Sequence, residues 1–124
     1  MKVLLADDDF DQLLMRSMLL SQNGFDPVEA RDCESAIRMA RAEHPTCAVV
    51  DLRFPTEELG LRTVRELKAL NPAIHVLLLT GGNSDKLAHT PEAALVDKIL
   101  VKGNCWTELM QRLKALRLDS EHLE

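Results

Sequence analysis

No apolar run in the 124-residue sequence approaches the ~20 residues a membrane span needs, so neither a membrane span nor a membrane partner is expected. The opening Met1-Lys2-Val3-Leu4-Leu5 is too short, and too soon acidic, for a signal peptide. Cysteine is scarce. Cys33, Cys47 and Cys105 are odd in number and match no metal spacing, which points to free thiols in a reducing, cytoplasmic compartment. His44, His75, His89 and His122 are scattered and outline no metal centre. Basic charge is also short, with 15 Lys and Arg against 20 Asp and Glu and a net charge of −5. Binding phosphate backbones needs clustered Lys and Arg, so direct nucleic-acid binding by this chain is not expected. Internal repeats and low-complexity linkers are missing too. What remains is 46% hydrophobic and 28% charged, ordinary for one globular domain long enough to bury a core.

Four short apolar runs stand out. Cys47-Ala48-Val49-Val50 runs without alternation, as a strand buried on both faces does, and stops on Asp51. Val3-Leu4-Leu5-Ala6 ends in Asp7-Asp8-Asp9, Val76-Leu77-Leu78-Leu79 in Thr80-Gly81-Gly82, and Ile99-Leu100-Val101 in Lys102. In open parallel sheets the ligand crevice lies outside the carboxyl ends of the strands. Acid, acid, hydroxyl and cation therefore fall where chemistry is usually placed.

Between these runs the pattern turns helical. A helix is expected over Phe10 to Gln22, with Phe10, Leu14, Met18 and Ser21 on one face, Leu13 and Leu20 flanking it, and Asn23-Gly24 as its stop. Phe25 to Ala30 reads as a polar edge strand that tolerates Pro27. Asp32 caps a second helix whose apolar face is Cys33, Ala36, Ile37 and Ala40, closed by Pro45. A third helix carries Leu61, Val64, Leu67 and Leu70 and ends at Asn71-Pro72. In the fourth, Asn83 or Ser84 supplies a cap, and Pro91 breaks or restarts the helix. A fifth presents Trp106, Leu109, Met110, Leu113 and Leu116, and residues 119–124 read as a polar tail after a domain of residues 1–118. Alternating strands and helices of this kind imply parallel strands joined by right-handed crossovers, in a three-layer α/β sandwich.

Asp7-Asp8, Asp51, Thr80 and Lys102, each at the end of an expected strand, resemble the receiver domain of bacterial two-component response regulators, and the likeness covers nearly the whole chain. The resemblance implies a doubly wound, flavodoxin-like fold with five strands in the order 2-1-3-4-5 and five helices. It also implies a site for Mg²⁺ or Mn²⁺, in which Asp8 and Asp51 touch the metal, the Arg53 carbonyl adds a ligand and Asp7 acts through water. Crowded carboxylates repel unless a cation sits among them, and hard oxygen donors suit Mg²⁺. Asp51 would then be the phosphoacceptor, Lys102 a point cation for the phosphoryl oxygens and Thr80 a hydroxyl donor. Implied partners are a histidine kinase or phosphotransfer protein and an unidentified downstream protein, with the domain a monomer or weak homodimer. The only catalysis implied is the domain's own phosphorylation and dephosphorylation. No output module follows within the chain, which is expected to be a stand-alone receiver or a piece of a larger regulator.

The plainer readings are a helix cap for Asp9, a surface cation for Lys102 and a turn residue for Thr80. Besides Pro91 and the polar Asn83 to Thr90 stretch, which disturb the fourth helix, two positions depart from the family's pattern. Gly103 replaces the proline that usually follows the lysine, and Ile99 takes the place of the switch aromatic paired with Thr80. These departures motivate a rival reading, an interaction module that works without phosphorylation. A more distant rival is a haloacid dehalogenase-type phosphohydrolase, which would make Asp7 the nucleophile and leave Asp51 unexplained.

Overall fold

The computed structural model describes residues 1–82, 85–103 and 105–122. Five parallel strands, β1 (Lys2–Ala6), β2 (Asp26–Ala30), β3 (Cys47–Asp51), β4 (His75–Thr80) and β5 (Lys98–Val101), form one sheet in the order β2-β1-β3-β4-β5. The central strands are buried on both sides because their side chains alternate between two apolar layers. Leu4, Val50, Val76 and Leu78 face one layer; Val3, Val49, Leu77 and Leu79 face the other. The first layer is closed by α2 (Cys33–Glu43) and α3 (Glu57–Leu70), and the second by α1 (Phe10–Gln22) and α5 (Trp106–His122). Register places the ends of β3 and β4 together, with Asp51 opposite Leu79, and brings Thr80 opposite Val101.

Local chemistry sets the helix starts. The Asp9 carboxylate accepts from the backbone N–H groups of Asp11 and Gln12, so the cap expected for Asp9 is present. Asp32 and Ser35 form a reciprocal capping box at the head of α2, and Thr56 caps α3.

Three expectations need correction. Among the described residues, four helices of ordinary length flank the sheet rather than five. The fourth is reduced to a single turn, α4 (Asp85–Ala88), followed by a 3-10 turn over Pro91–Ala94. Pro91 starts that turn after Thr90, where its missing N–H costs nothing, so a continuous helix cannot form across it. The cap expected of Asn83 or Ser84 lies outside the described residues. On α1 the expected face points outward: Phe10 is 56% exposed, Leu14 45% and Met18 55%, while Leu13, Arg16 and Leu20 turn to the sheet. On α3, Leu70 is exposed at the last turn, although Val64 and Leu67 are buried as expected. The backbone of α5 runs helical through His122 and so takes in the first residues of the polar 119–124 segment.

One close contact holds the β3–α3 connection against the sheet. Gly60, in the first turns of α3, packs so near the end of β3 that a Cβ there would lie 1.9 Å from the Leu52 carbonyl oxygen. The atoms it would meet, in Leu52 and Asp51, are all backbone, and Leu52 is tied to Leu79 by an N–H···O bond of 2.8 Å, so they do not yield easily. Gly60→Ala is expected to destabilise the domain by about 3 kcal/mol through overpacking. Chemical denaturation of the two proteins checks this, and equal midpoints would contradict the contact.

Candidate functional site

The carboxyl edge of the sheet gathers the residues that the sequence placed there. Asp7 follows β1 and is 2% exposed, whereas Asp8 beside it is open to solvent. Asp51 ends β3 and is buried. Each of these three acids offers an oxygen atom within 4.8 Å of the other two. From the far side Lys102 Nζ donates to Asp51 Oδ2 at 2.9 Å. Thr80, buried at the end of β4, donates its hydroxyl to the Gly82 carbonyl at 3.2 Å. The Lys102 N–H bonds the Thr80 carbonyl at 2.8 Å, so hydroxyl and cation hang from one backbone link. Asp51, Thr80 and Lys102, together with Arg53, Glu57, Gly81 and Gly82, line a hollow of about 360 Å³. The Arg53 backbone amide faces the Asp51 carboxylate.

Gly103 explains how the lysine is aimed without the usual proline. Its φ of 112° lies where side-chain-bearing residues are strained, so the chain turns sharply just after Lys102. The one cis bond among the described residues is Phe54–Pro55, so Lys102–Gly103 is trans. Ile99 pairs with Leu78 in the ladder and packs, partly buried, against the layer closed by α2 and α3. Thr80 lies two residues beyond Leu78 on β4, so by strand alternation it shares the face of the sheet that carries Ile99.

Two residues near the acids were not anticipated from sequence. Arg16 is buried at 8% exposure, and its Nη1 donates to Asp7 Oδ2. The other Asp7 oxygen accepts the Asp9 N–H at 2.9 Å. With both oxygens engaged and the side chain enclosed, Asp7 is poorly placed to attack a substrate, which removes the geometric basis for the phosphohydrolase reading. The available signal was spacing, since Arg16 lies three residues from Leu13 and four from Leu20, in the buried phase of the helix. Glu57 is the second. It joins the hollow because α3 begins at that residue.

The donor set suits a hard divalent cation. It consists of carboxylate oxygens from three residues, one of them solvent-facing, and among the described residues no Cys or His joins the cluster.

Fold and site together define a doubly wound α/β domain with an acidic hollow and a lysine at its topological edge. A sequence profile for the response regulator receiver domain matches residues 3–114. The transcriptional regulatory protein PrrA of Mycobacterium tuberculosis is 33% identical over 117 residues, which cover 93% of this chain and 49% of PrrA. A response regulator receiver domain protein from Clostridium thermocellum superposes with a TM-score of 0.85 at 21% identity, covering 99% of this chain and 98% of that one. The response regulator TrrA of Thermotoga maritima, solved in complex with Mg²⁺-BeF, superposes with a TM-score of 0.80 at 20% identity, covering 93% of this chain and 97% of that one. The chain belongs to the response regulator receiver domain family of two-component signalling. It spans about half the length of the curated relatives it matches. No helix among the described residues is long and apolar enough to cross a membrane.

Burial raises the pKa of Asp51 above the ordinary carboxylate value; the Lys102 hydrogen bond and charge oppose this and the Asp7 charge adds to it. The folded chain thus holds a proton on Asp51 more tightly than the unfolded chain does. The stability Asp51 contributes to the ion-free domain is therefore full below the unfolded value and lost as pH rises through the folded one. Asp51→Asn is neutral at every pH and leaves Lys102 a third exposed and able to hydrate. It is expected to raise the Tm of the ion-free protein at pH 7, with the gain fading below about pH 4. Thermal unfolding in chelator across that range checks the sign. A Tm at pH 7 no higher than that of the unsubstituted protein contradicts it.

Proposed function

We propose that this domain takes a phosphoryl group onto Asp51 from a histidine kinase or phosphotransfer protein, in a reaction that needs Mg²⁺, and passes the signal on by a change of conformation. The observation that carries this reading is Lys102 Nζ at 2.9 Å from Asp51 Oδ2, beside a three-carboxylate cluster within 4.8 Å. An Asp51 oxygen attacks phosphorus, and the bond from phosphorus to the donor breaks with the electron pair leaving on the donor. The carboxylate attacks in its ionised form, so the step needs no general base. Lys102 then shifts from the carboxylate toward the phosphoryl oxygens, and the Thr80 hydroxyl exchanges Gly82 for one of them. Asp8, Asp51 and the Arg53 carbonyl would hold Mg²⁺, with Asp7 acting through water. Bound there, the ion would offset the negative charge developing on the transferred group.

The Mg²⁺-BeF complex of TrrA supports the ion in this reading, and the matched portion of PrrA supports a receiver role within a regulatory pathway. Phosphorylation would bias a two-state surface read by a downstream protein, with Thr80 and Ile99 as the coupled positions. The same reading places the domain in the cytoplasm as a monomer or weak homodimer. It assigns the domain no catalysis beyond its own phosphorylation and dephosphorylation. Ile99 favours a second reading, signalling without phosphorylation, because a branched aliphatic side chain has no ring to swing between the surface and the hollow.

Incubation with Mg²⁺ and acetyl phosphate, followed by intact mass measurement, tests the proposal. It predicts a ~80 Da adduct that is absent in Asp51→Asn and forms on the order of 100-fold more slowly in Lys102→Ala. Folded protein without an adduct contradicts it. Beryllofluoride with Mg²⁺ separates the two readings, since amide shifts around Thr80 and Ile99 support the switch and an unchanged spectrum supports the rival.

A further inference from the structure

Asp7 is almost fully enclosed, and a buried carboxylate is costly unless a cation and hydrogen bonds meet it. Both conditions are met without a metal. Arg16 Nη1 donates to Asp7 Oδ2, Nη2 reaches the Gln12 side-chain carbonyl at 3.3 Å, and the Asp9 N–H takes the remaining Asp7 oxygen. Arg16 is itself buried on the sheet-facing side of α1, so water screens the pair little. Three acids at the edge carry three negative charges, and Arg16 with Lys102 returns two, leaving −1 before any ion arrives. Without Arg16 the balance would be −2.

We propose that Arg16 is a resident counter-cation of the ion site, neutralising through Asp7 part of the charge that a divalent ion would otherwise offset. The domain thereby keeps its edge ordered when ion-free and binds Mg²⁺ more weakly than its acids alone would. Arg16 touches no reacting atom; it is a positioning residue that sets how far the site depends on its ion. The inference rests on the metal-dependent reading above.

Calorimetric Mg²⁺ titration and thermal unfolding with and without Mg²⁺ test it on the unsubstituted chain, Arg16→Met and Arg16→Lys. Arg16→Met is expected to bind Mg²⁺ about tenfold more tightly and to lose Tm when ion-free, with saturating Mg²⁺ closing the gap. Arg16→Lys keeps the charge, and its affinity should stay within about threefold of the parent. A folded Arg16→Met whose affinity is unchanged or weaker overturns the proposal while leaving the metal site standing. An unsubstituted chain that binds no Mg²⁺ at all overturns both. Because Arg16→Met risks unfolding when ion-free, the double variant Arg16→Met/Asp7→Asn completes the test. Removing both buried charges should restore the lost ion-free Tm, and failure to restore it overturns the pairing.

Discussion

Mutual repulsion among Asp7, Asp8 and Asp51 is the constraint around which this domain is arranged. Their oxygens come within 4.8 Å of one another at the edge of a low-dielectric sheet, where like charges interact strongly. The protein answers from two sides. Lys102 arrives from the end of β5 and meets Asp51, and Arg16 arrives from the sheet-facing side of α1 and meets Asp7. Asp8 faces solvent and needs no protein cation. The three acids thus differ in kind: one is enclosed and paired, one is paired across the hollow, and one is open to whatever enters.

That arrangement depends on backbone placed with little slack. Leu52 N–H bonds the Leu79 carbonyl, and Lys102 N–H bonds the Thr80 carbonyl, so the ends of β3, β4 and β5 are laced together just where the side chains converge. Gly60 lets α3 lie against the carbonyl of Leu52, the residue directly after Asp51. Gly103 turns the chain after Lys102 through a conformation that side chains disfavour. The Arg65–Glu92 ion pair ties the 3-10 turn to α3, compensating in part for the shortened fourth helix.

Much of this was legible in the residues. Doubly buried strands announce themselves as unbroken apolar runs, as in β1, β3 and β4, and these runs and that of the edge strand β5 each ended at the residue that the structure brings to the carboxyl edge. The failures have physical causes. Periodicity treats an arginine as a vote for solvent, so the face of α1 carrying Arg16 looked polar and the opposite face, with Phe10, Leu14 and Met18, looked like core. Arg16 is buried because a charge distant in sequence, Asp7, receives it. Pro91 signalled an interruption but not its outcome, since a proline both ends one turn and opens the next. Leu70 continued an apolar spacing past the point where α3 leaves the sheet, and spacing alone carries no information about where the partner surface ends.

The central claim is that the crowded acids, the lysine and the threonine form one binding hollow for a divalent ion and a phosphoryl group. A crystal structure grown with Mg²⁺ and beryllofluoride tests it most directly. The account predicts beryllium bonded to an Asp51 oxygen, the ion held by Asp8 and Asp51, and fluorides met by Lys102 and Thr80. An unmodified Asp51 in protein saturated with both reagents, or an ion bound away from these acids, would contradict it.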